Sequence, residues 1–195
     1  MFNCLLEAIK FIIPMNEFKK IVRNNRIALI GNASSIFSLK NGYKIDACDI
    51  VIRINAGFVK DSSAQGSRTD VWVTSLNVPM LEVKTKFDPK LVVWATSKRR
   101  LFPSEYLDEF KVEFHPLWEW VKLRFTLGYR PTTGAIVANY IFSKCKPKVV
   151  HIFGFDNFAS PTFYHNRANI GPHSGEAERI LFNKFYKSRF FINEN

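Results

Sequence analysis

Five short runs constrain this chain more than any other feature: 26–31, 49–55, 70–74, 91–96 and 148–154, each rich in Val, Ile or aromatic residues. Apolar residues follow one another in them with little polar alternation. That is the pattern of strands covered on both faces, as in a mainly parallel sheet, since a sheet with one wet face would alternate. Helical spacing appears at 133–144, with Ile136, Val137, Tyr140 and Ile141 in a stripe, and at 174–187, with Ala177, Ile180, Leu181 and Phe185. Both stripes read as core faces, and the sum is an α/β layout. The stretch 77–128 mixes Trp, Phe and charge and yields no clear element.

At 195 residues the chain is sized for one domain that buries its core without disulfide or metal staples, and a 47% hydrophobic content argues against general disorder. A formal charge of +11 favours anionic partners: nucleotide phosphates, acidic glycans, nucleic acid or an anionic membrane face. Cys4, Cys48 and Cys145 are too few and scattered for a disulfide framework or a zinc site, which points to a reducing compartment. No run approaches the roughly 20 apolar residues of a membrane span. The start, 1–25, carries Phe2, Leu5, Leu6, Ile9, Phe11, Ile12 and Ile13, followed by Lys19, Lys20 and Arg23. Two readings stay open for this helical segment: packing on the domain edge, or lying on an anionic membrane surface. The domain proper is then 26–195.

Three places carry candidate chemistry. The first strand runs into Gly31-Asn32-Ala33-Ser34-Ser35, which offers backbone NH groups and small polar side chains at the carboxyl edge of the sheet, where open α/β folds bind ligands. It is neither a P-loop nor a Gly-x-Gly-x-x-Gly turn. The second strand places Arg53 and Asn55 on one face; Asn55 would point into the cleft with Asn32, and Arg53 would pair with Asp46 or Asp49 to fix the strand. Pro131-Thr132-Thr133-Gly134 opens a helix, where either anion binding or simple capping by the threonines is served. His173 also precedes a helix and is a candidate base, with His165 a second imidazole. No Cys/His spacing suits zinc and no acidic cluster suits Mg²⁺, so no metal and no cofactor is expected.

In this order the motifs resemble the sialyltransferases of glycosyltransferase family 29. Residues 27–69, with Gly31-Asn32-Ala33-Ser34-Ser35, Asp49-Ile50-Val51-Ile52-Arg53-Ile54-Asn55 and Gly66-Ser67-Arg68-Thr69, resemble the family's large sialyl motif. Tyr129-Arg130-Pro131-Thr132-Thr133-Gly134 through Val149-Val150-His151-Ile152-Phe153-Gly154-Phe155 resemble its small motif, and His173 with Glu178 keeps the spacing of its very small motif. The resemblance implies a Rossmann-like, mainly parallel sheet flanked by helices, in the single-domain, GT-A-like variant of the sialyltransferases. It implies an inverting, metal-independent transfer from CMP-sialic acid, as co-substrate, to a glycan or glycolipid hydroxyl. Gly31, Asn32, Ser34, Ser35, Asn55, Thr132, Thr133, Gly134 and Gly154 would hold the donor, Arg53 and Glu178 would orient the site, and His173 would be the general base.

The departures are informative. Animal members bridge a large-motif cysteine to a small-motif one; Cys145 stands in the second place, but Ile27 occupies the first, so that bridge cannot form. With no anchor or stem in view, the resemblance is to a cytoplasmic bacterial or viral relative, possible peripheral contact with the inner membrane face being the second open reading of 1–25. The third motif is not reproduced by Phe163-Tyr164-His165-Asn166, and Ala33 replaces a glycine. Two other functions compete: transfer from another CMP-sugar such as CMP-Kdo, and a basic nucleotide- or nucleic-acid-binding protein without activity. The dispersal of the basic residues argues against nucleic acid.

Overall fold

Among the described residues seven strands, all parallel, form one sheet in the order β5-β4-β3-β2-β1-β6-β7. The computed structural model describes residues 15–164 and 171–195. Five strands fall on the five apolar runs: β1 Arg26–Ile30, β2 Ile50–Ile54, β3 Val71–Thr74, β4 Leu91–Trp94 and β6 Val149–Phe153. The other two, β5 Val112–Phe114 and β7 Phe191–Asn193, are the sheet edges and only three residues long, too short for a periodic signature. Before β1 comes α1 Asn16–Val22, and between the strands lie α2 Gly42–Asp46, α3 Ser62–Gln65, α4 Met80–Lys86, α5 Tyr106–Glu109, α6 Leu117–Leu127, α7 Thr133–Lys144 and α8 Gly175–Tyr186.

The lack of alternation in the strands has its cause in two covered faces. Ile27, Leu29, Ile52, Ile54, Val71, Val73, Leu91, Val93, Val150 and Ile152 point to the side of α1, α6, α7 and α8. The intervening residues point to the other side, where Ala28, Ile30, Val51 and Phe153 meet Ile36 and Ile45, and Trp72, Val92, Trp94 and Phe114 meet Val83, Phe87 and Tyr106. Each such buried side chain contributes roughly 1.5–3 kcal/mol relative to exposure. A polar residue anywhere in these strands therefore needs a specific partner.

Residues 15–22 share the larger core, with Met15, Phe18 and Val22 buried. Glu113 of β5 explains the docking of α1: its Oε1 and Oε2 accept from the amides of Glu17 and Phe18, both at 2.9 Å, a carboxylate seated on a helix N-terminus. The stretch 1–14, with its apolar run and Cys4, lies outside the described residues. No helix among the described residues is long and apolar enough to cross a membrane. Ile27 is a buried core residue of β1, and Cys145 a free, half-buried thiol whose burial pushes its pKa up to about 12.

The chain steps outward from β1 through β5, then returns by α6 and α7 to place β6 against the other side of β1, with Leu29 opposite both Ile52 and Ile152. Direction reverses between β1 and β6. In an open parallel sheet the loops leaving such a point diverge and leave a crevice at the carboxyl ends.

Candidate active site

The crevice is present as a cavity of about 390 Å³. Its floor is made where the ends of β1 and β6 touch. The Gly31 amide donates to the Phe153 carbonyl at 2.7 Å, and the Ala33 amide to the Gly154 carbonyl at 3.1 Å. A Cβ on Gly31 would lie 2.1 Å from the Gly154 carbonyl oxygen, so only glycine permits this approach. Gly154 itself adopts φ +67°, the left-handed region open to glycine.

Asn32 and Asn55 both line the cavity. Asn32 is buried, and its Nδ2 donates to the Ile54 carbonyl at 3.1 Å and to the Tyr164 hydroxyl at 3.4 Å. Its Oδ1 has no donor among the described residues. That oxygen lies against Gly57, where a Cβ would come within 2.2 Å of it, so only glycine fits beside Asn32. Asn55 sits at φ +49°, and its Oδ1 accepts from the Ser75 amide at 3.0 Å and the Thr133 hydroxyl at 3.2 Å. With Ser75 Oγ 2.8 Å from Thr133 Oγ1, this knot ties the ends of β2 and β3 to the start of α7.

At that helix start the two threonines divide the work. Thr132 is the N-cap: its Oγ1 accepts from the Ala135 amide at 3.1 Å, while its own amide and hydroxyl both donate to Glu178 at 2.8 Å. Thr132 is thus committed to structure. The amides of Thr133 and Gly134 find no acceptor among the described residues and stand at the positive end of a 12-residue helix, an anion site. The Phe155 ring lies across this turn, since a Cβ on Gly134 would come within 2.4 Å of it. Asn195 clasps the Phe155 backbone, accepting from its amide at 3.0 Å and donating to its carbonyl at 2.8 Å.

His173 lines the same cavity. Its Nδ1 is 2.7 Å from the Arg130 carbonyl oxygen, which can only accept. The contact therefore requires a proton on Nδ1, and in the neutral ring Nε2 carries the free lone pair. Arg130 returns the tie by donating its amide to the Pro172 carbonyl at 3.2 Å, and Ser174 caps α8 by accepting from Ala177. This orientation suits a general base.

The structure brings Gly31, Asn32, Asn55, Thr132, Thr133, Gly134, Gly154, His173 and Glu178 to one cavity. It corrects the reading of Ser34 and Ser35. The chain turns there into a 3-10 helix, Ser34–Ser38, and both serines are outside the cavity wall. The Ser34 amide donates to the Pro161 carbonyl at 2.9 Å, and Ser35 donates its hydroxyl to Asp156 at 3.0 Å and its amide to Ser160. They brace the 156–161 loop. Arg53 is also corrected in its partners: Asp49 pairs with Arg26 at 2.9 Å, and Asp46 receives the Ser67 amide, while the buried Arg53 guanidinium donates to backbone carbonyls. His165 lies outside the described residues. Ser75 and the loop bearing Asp156 and Phe158 were missed, being ordinary polar and aromatic residues in no recognisable spacing; Tyr164 was named only as part of a motif that did not match.

Glu178 has a measurable signature. Burial pushes its carboxyl up to about 7 from an ordinary 4.5, against the two hydrogen bonds from Thr132 that pull it down. Between those values the folded state holds a proton the unfolded chain has released, so stability falls as pH rises through that window. The expected result is that wild type loses ~3 kcal/mol relative to Glu178→Gln from pH 4.5 to 8, measured by urea unfolding. Parallel pH profiles would contradict it.

The cavity stands where open parallel α/β sheets bind their ligands, outside the carboxyl ends of the strands at the point where strand order reverses. The model of glycosyltransferase family 29 (sialyltransferase) matches residues 2–91. Over those residues, a little under half of the chain, it is similar to glycosyltransferase family 29. Among solved structures it is similar to a mammalian sialyltransferase, with TM-score 0.65 and 16% identity over 99% of this chain and 78% of that one. It is also similar to the sialyltransferase CstII from Campylobacter jejuni in complex with the substrate analogue CMP-3FNeuAc, with TM-score 0.56 and 10% identity over 87% of this chain and 78% of that one. CstII in complex with a trisaccharide acceptor and CMP gives TM-score 0.56 at 14% identity, over 86% and 80%. No curated protein matches the chain in sequence.

Proposed function

We propose that this protein moves sialic acid from CMP-sialic acid to a hydroxyl of a surface glycan or glycolipid, with inversion and without a metal. The observation that carries this reading is the meeting, in one cavity, of Asn32 and Asn55, of two helix N-terminal amides that find no acceptor among the described residues, and of an imidazole fixed with its lone pair on Nε2. The Thr133 and Gly134 amides take the CMP phosphate, Asn32 borders the nucleoside, and Asn55 holds the three loops in register.

The acceptor hydroxyl loses its proton to His173 Nε2 as its oxygen bonds the anomeric carbon from the face opposite the phosphate. The bond from that carbon to the phosphate oxygen breaks, and CMP leaves with the electron pair. The helix N-terminus stabilises the charge gained there. Both cavity carboxylates are engaged, Glu178 by Thr132 and Asp156 by Ser35 and Ser160, which leaves the charge on the leaving group to amide donors.

The test is mass spectrometry of products after incubation with CMP-sialic acid, CMP-Kdo and a glycan panel. CMP release with a sialylated product is expected; a Kdo product keeps the mechanism and changes the sugar. Thermal unfolding tests binding alone: CMP at about 100 times its dissociation constant adds roughly 2.7 kcal/mol, with UMP and GMP far behind. No stabilisation by CMP, with salt-sensitive oligonucleotide binding in its place, would sink the reading.

A further inference from the structure

The helix that leads into the cavity wall carries an uncovered aromatic ridge. On α6, Trp118 is 67% exposed and Phe125 is 82% exposed, and Tyr129, just past the helix end, is 52% exposed. Trp118, Lys122 and Phe125 stand at i, i+4 and i+7, one side of a helix that spans about 16 Å. Its opposite side is already apolar, with Leu123 and Leu127 in the core. A surface helix of a soluble domain turns mostly polar residues outward; here Lys122 and Thr126 share the outer side with two large exposed rings. Leu81 and Tyr43 are each 72% exposed, but they stand singly on their own helices, as scattered surface apolar residues do.

Charge decides what the ridge meets. Lys122 and Arg124 flank it, and Arg130 follows. The one acid of α6, Glu119, is half-buried and bound to Lys144 at 2.8 Å. The face is therefore aromatic and cationic with no free acid, on a chain of net charge +11. A second copy is a poor occupant, because a two-fold contact would set these cations against themselves. Trp and Tyr settle at the water–lipid boundary, and Lys and Arg beside them are drawn to anionic headgroups.

We propose that the outer face of α6, through Trp118, Lys122, Phe125 and Tyr129, is a docking surface for an anionic lipid bilayer. Because Gly128 ends the helix and Arg130 already lines the cavity, docking sets the cavity rim at the lipid surface. The proposal does not rest on the transfer chemistry, and vesicle binding tests it without any donor.

The experiment is co-sedimentation of the full chain with phosphatidylcholine vesicles with and without 30% phosphatidylglycerol, for wild type, Trp118→Ser/Phe125→Ser and, as control, Leu81→Ser. Binding to the anionic vesicles is expected, weakened about tenfold or more in the double variant and by 0.5 M salt, and unchanged in the control. Since both ridge residues are exposed, the melting temperature of the double variant should match wild type; a Lys122→Glu variant gives the same loss of binding by charge alone. Binding that survives the double variant would assign it to residues 1–14 and overturn the proposal. So would the absence of anionic binding, or a dimer in wild type that the double variant abolishes.

Discussion

Replacing His173 by alanine is expected to lower kcat for the proposed sugar transfer by about 10²- to 10⁴-fold, the range of a lost general base, and to leave CMP affinity within about twofold. The geometry predicts this split. Among the described residues the His173 side chain bonds only the Arg130 carbonyl, through Nδ1, while the helix N-terminus proposed for the phosphate is built by Thr132, Thr133 and Glu178. Losing one partially exposed hydrogen bond costs about 1 kcal/mol, too little to dismantle that turn. The informative comparison is kcat against the CMP-induced rise in melting temperature. A variant with wild-type kcat would remove His173 from the chemistry, and one that loses both activity and CMP binding would recast it as a brace between Arg130 and α8.

Much of this arrangement was legible in the chain because its determinants are local. A run such as Arg26-Ile27-Ala28-Leu29-Ile30 states that both faces are covered, and a glycine after it marks a close backbone approach. Thr132 before an apolar helical stripe announces a capped helix start. What was not legible depends on distant partners. Glu113 looks like a strand-breaking charge until the amides of Glu17 and Phe18, about 95 positions away, are seen above it. Ser75 is one serine among many until Thr133 and Asn55 meet it. Ser34 and Ser35 differ for another reason: the reading carried the loop straight on past Asn32, whereas the chain turns there into a 3-10 helix and Ser35 binds Asp156 of the cavity wall instead of lining it. In the same way the sequence showed that Arg53 needs a partner but not which one.

Arg53 therefore supports the largest stability prediction. It is buried in β2 and donates from Nε to the Arg68 carbonyl and Thr69 Oγ1, both at 3.1 Å, and from one terminal nitrogen to the carbonyls of Gln65 at 2.8 Å and Gly66 at 3.2 Å. Among the described residues no carboxylate bonds it; burial lowers its pKa to about 10, with Asp46 opposing only from a distance. Methionine at this position removes the cost of the buried charge and fills part of the volume. It also strands three carbonyls that bind the end of α3 and the turn into β3, and each stranded acceptor costs about 1–3 kcal/mol. The losses outnumber the relief, and Arg53→Met is expected to lose ~4 kcal/mol in urea unfolding. Lysine keeps the charge but presents it at a single point, which cannot serve acceptors on both sides of a planar fork, so Arg53→Lys recovers little. Asn55 lies two residues on, past the end of the same strand, and its hold on Ser75 and Thr133 depends on that strand end. CMP binding should accordingly weaken in Arg53→Lys under conditions where the variant is still folded. A lysine variant as stable as wild type would mean that the charge, and not the fork, is what residues 65–69 require.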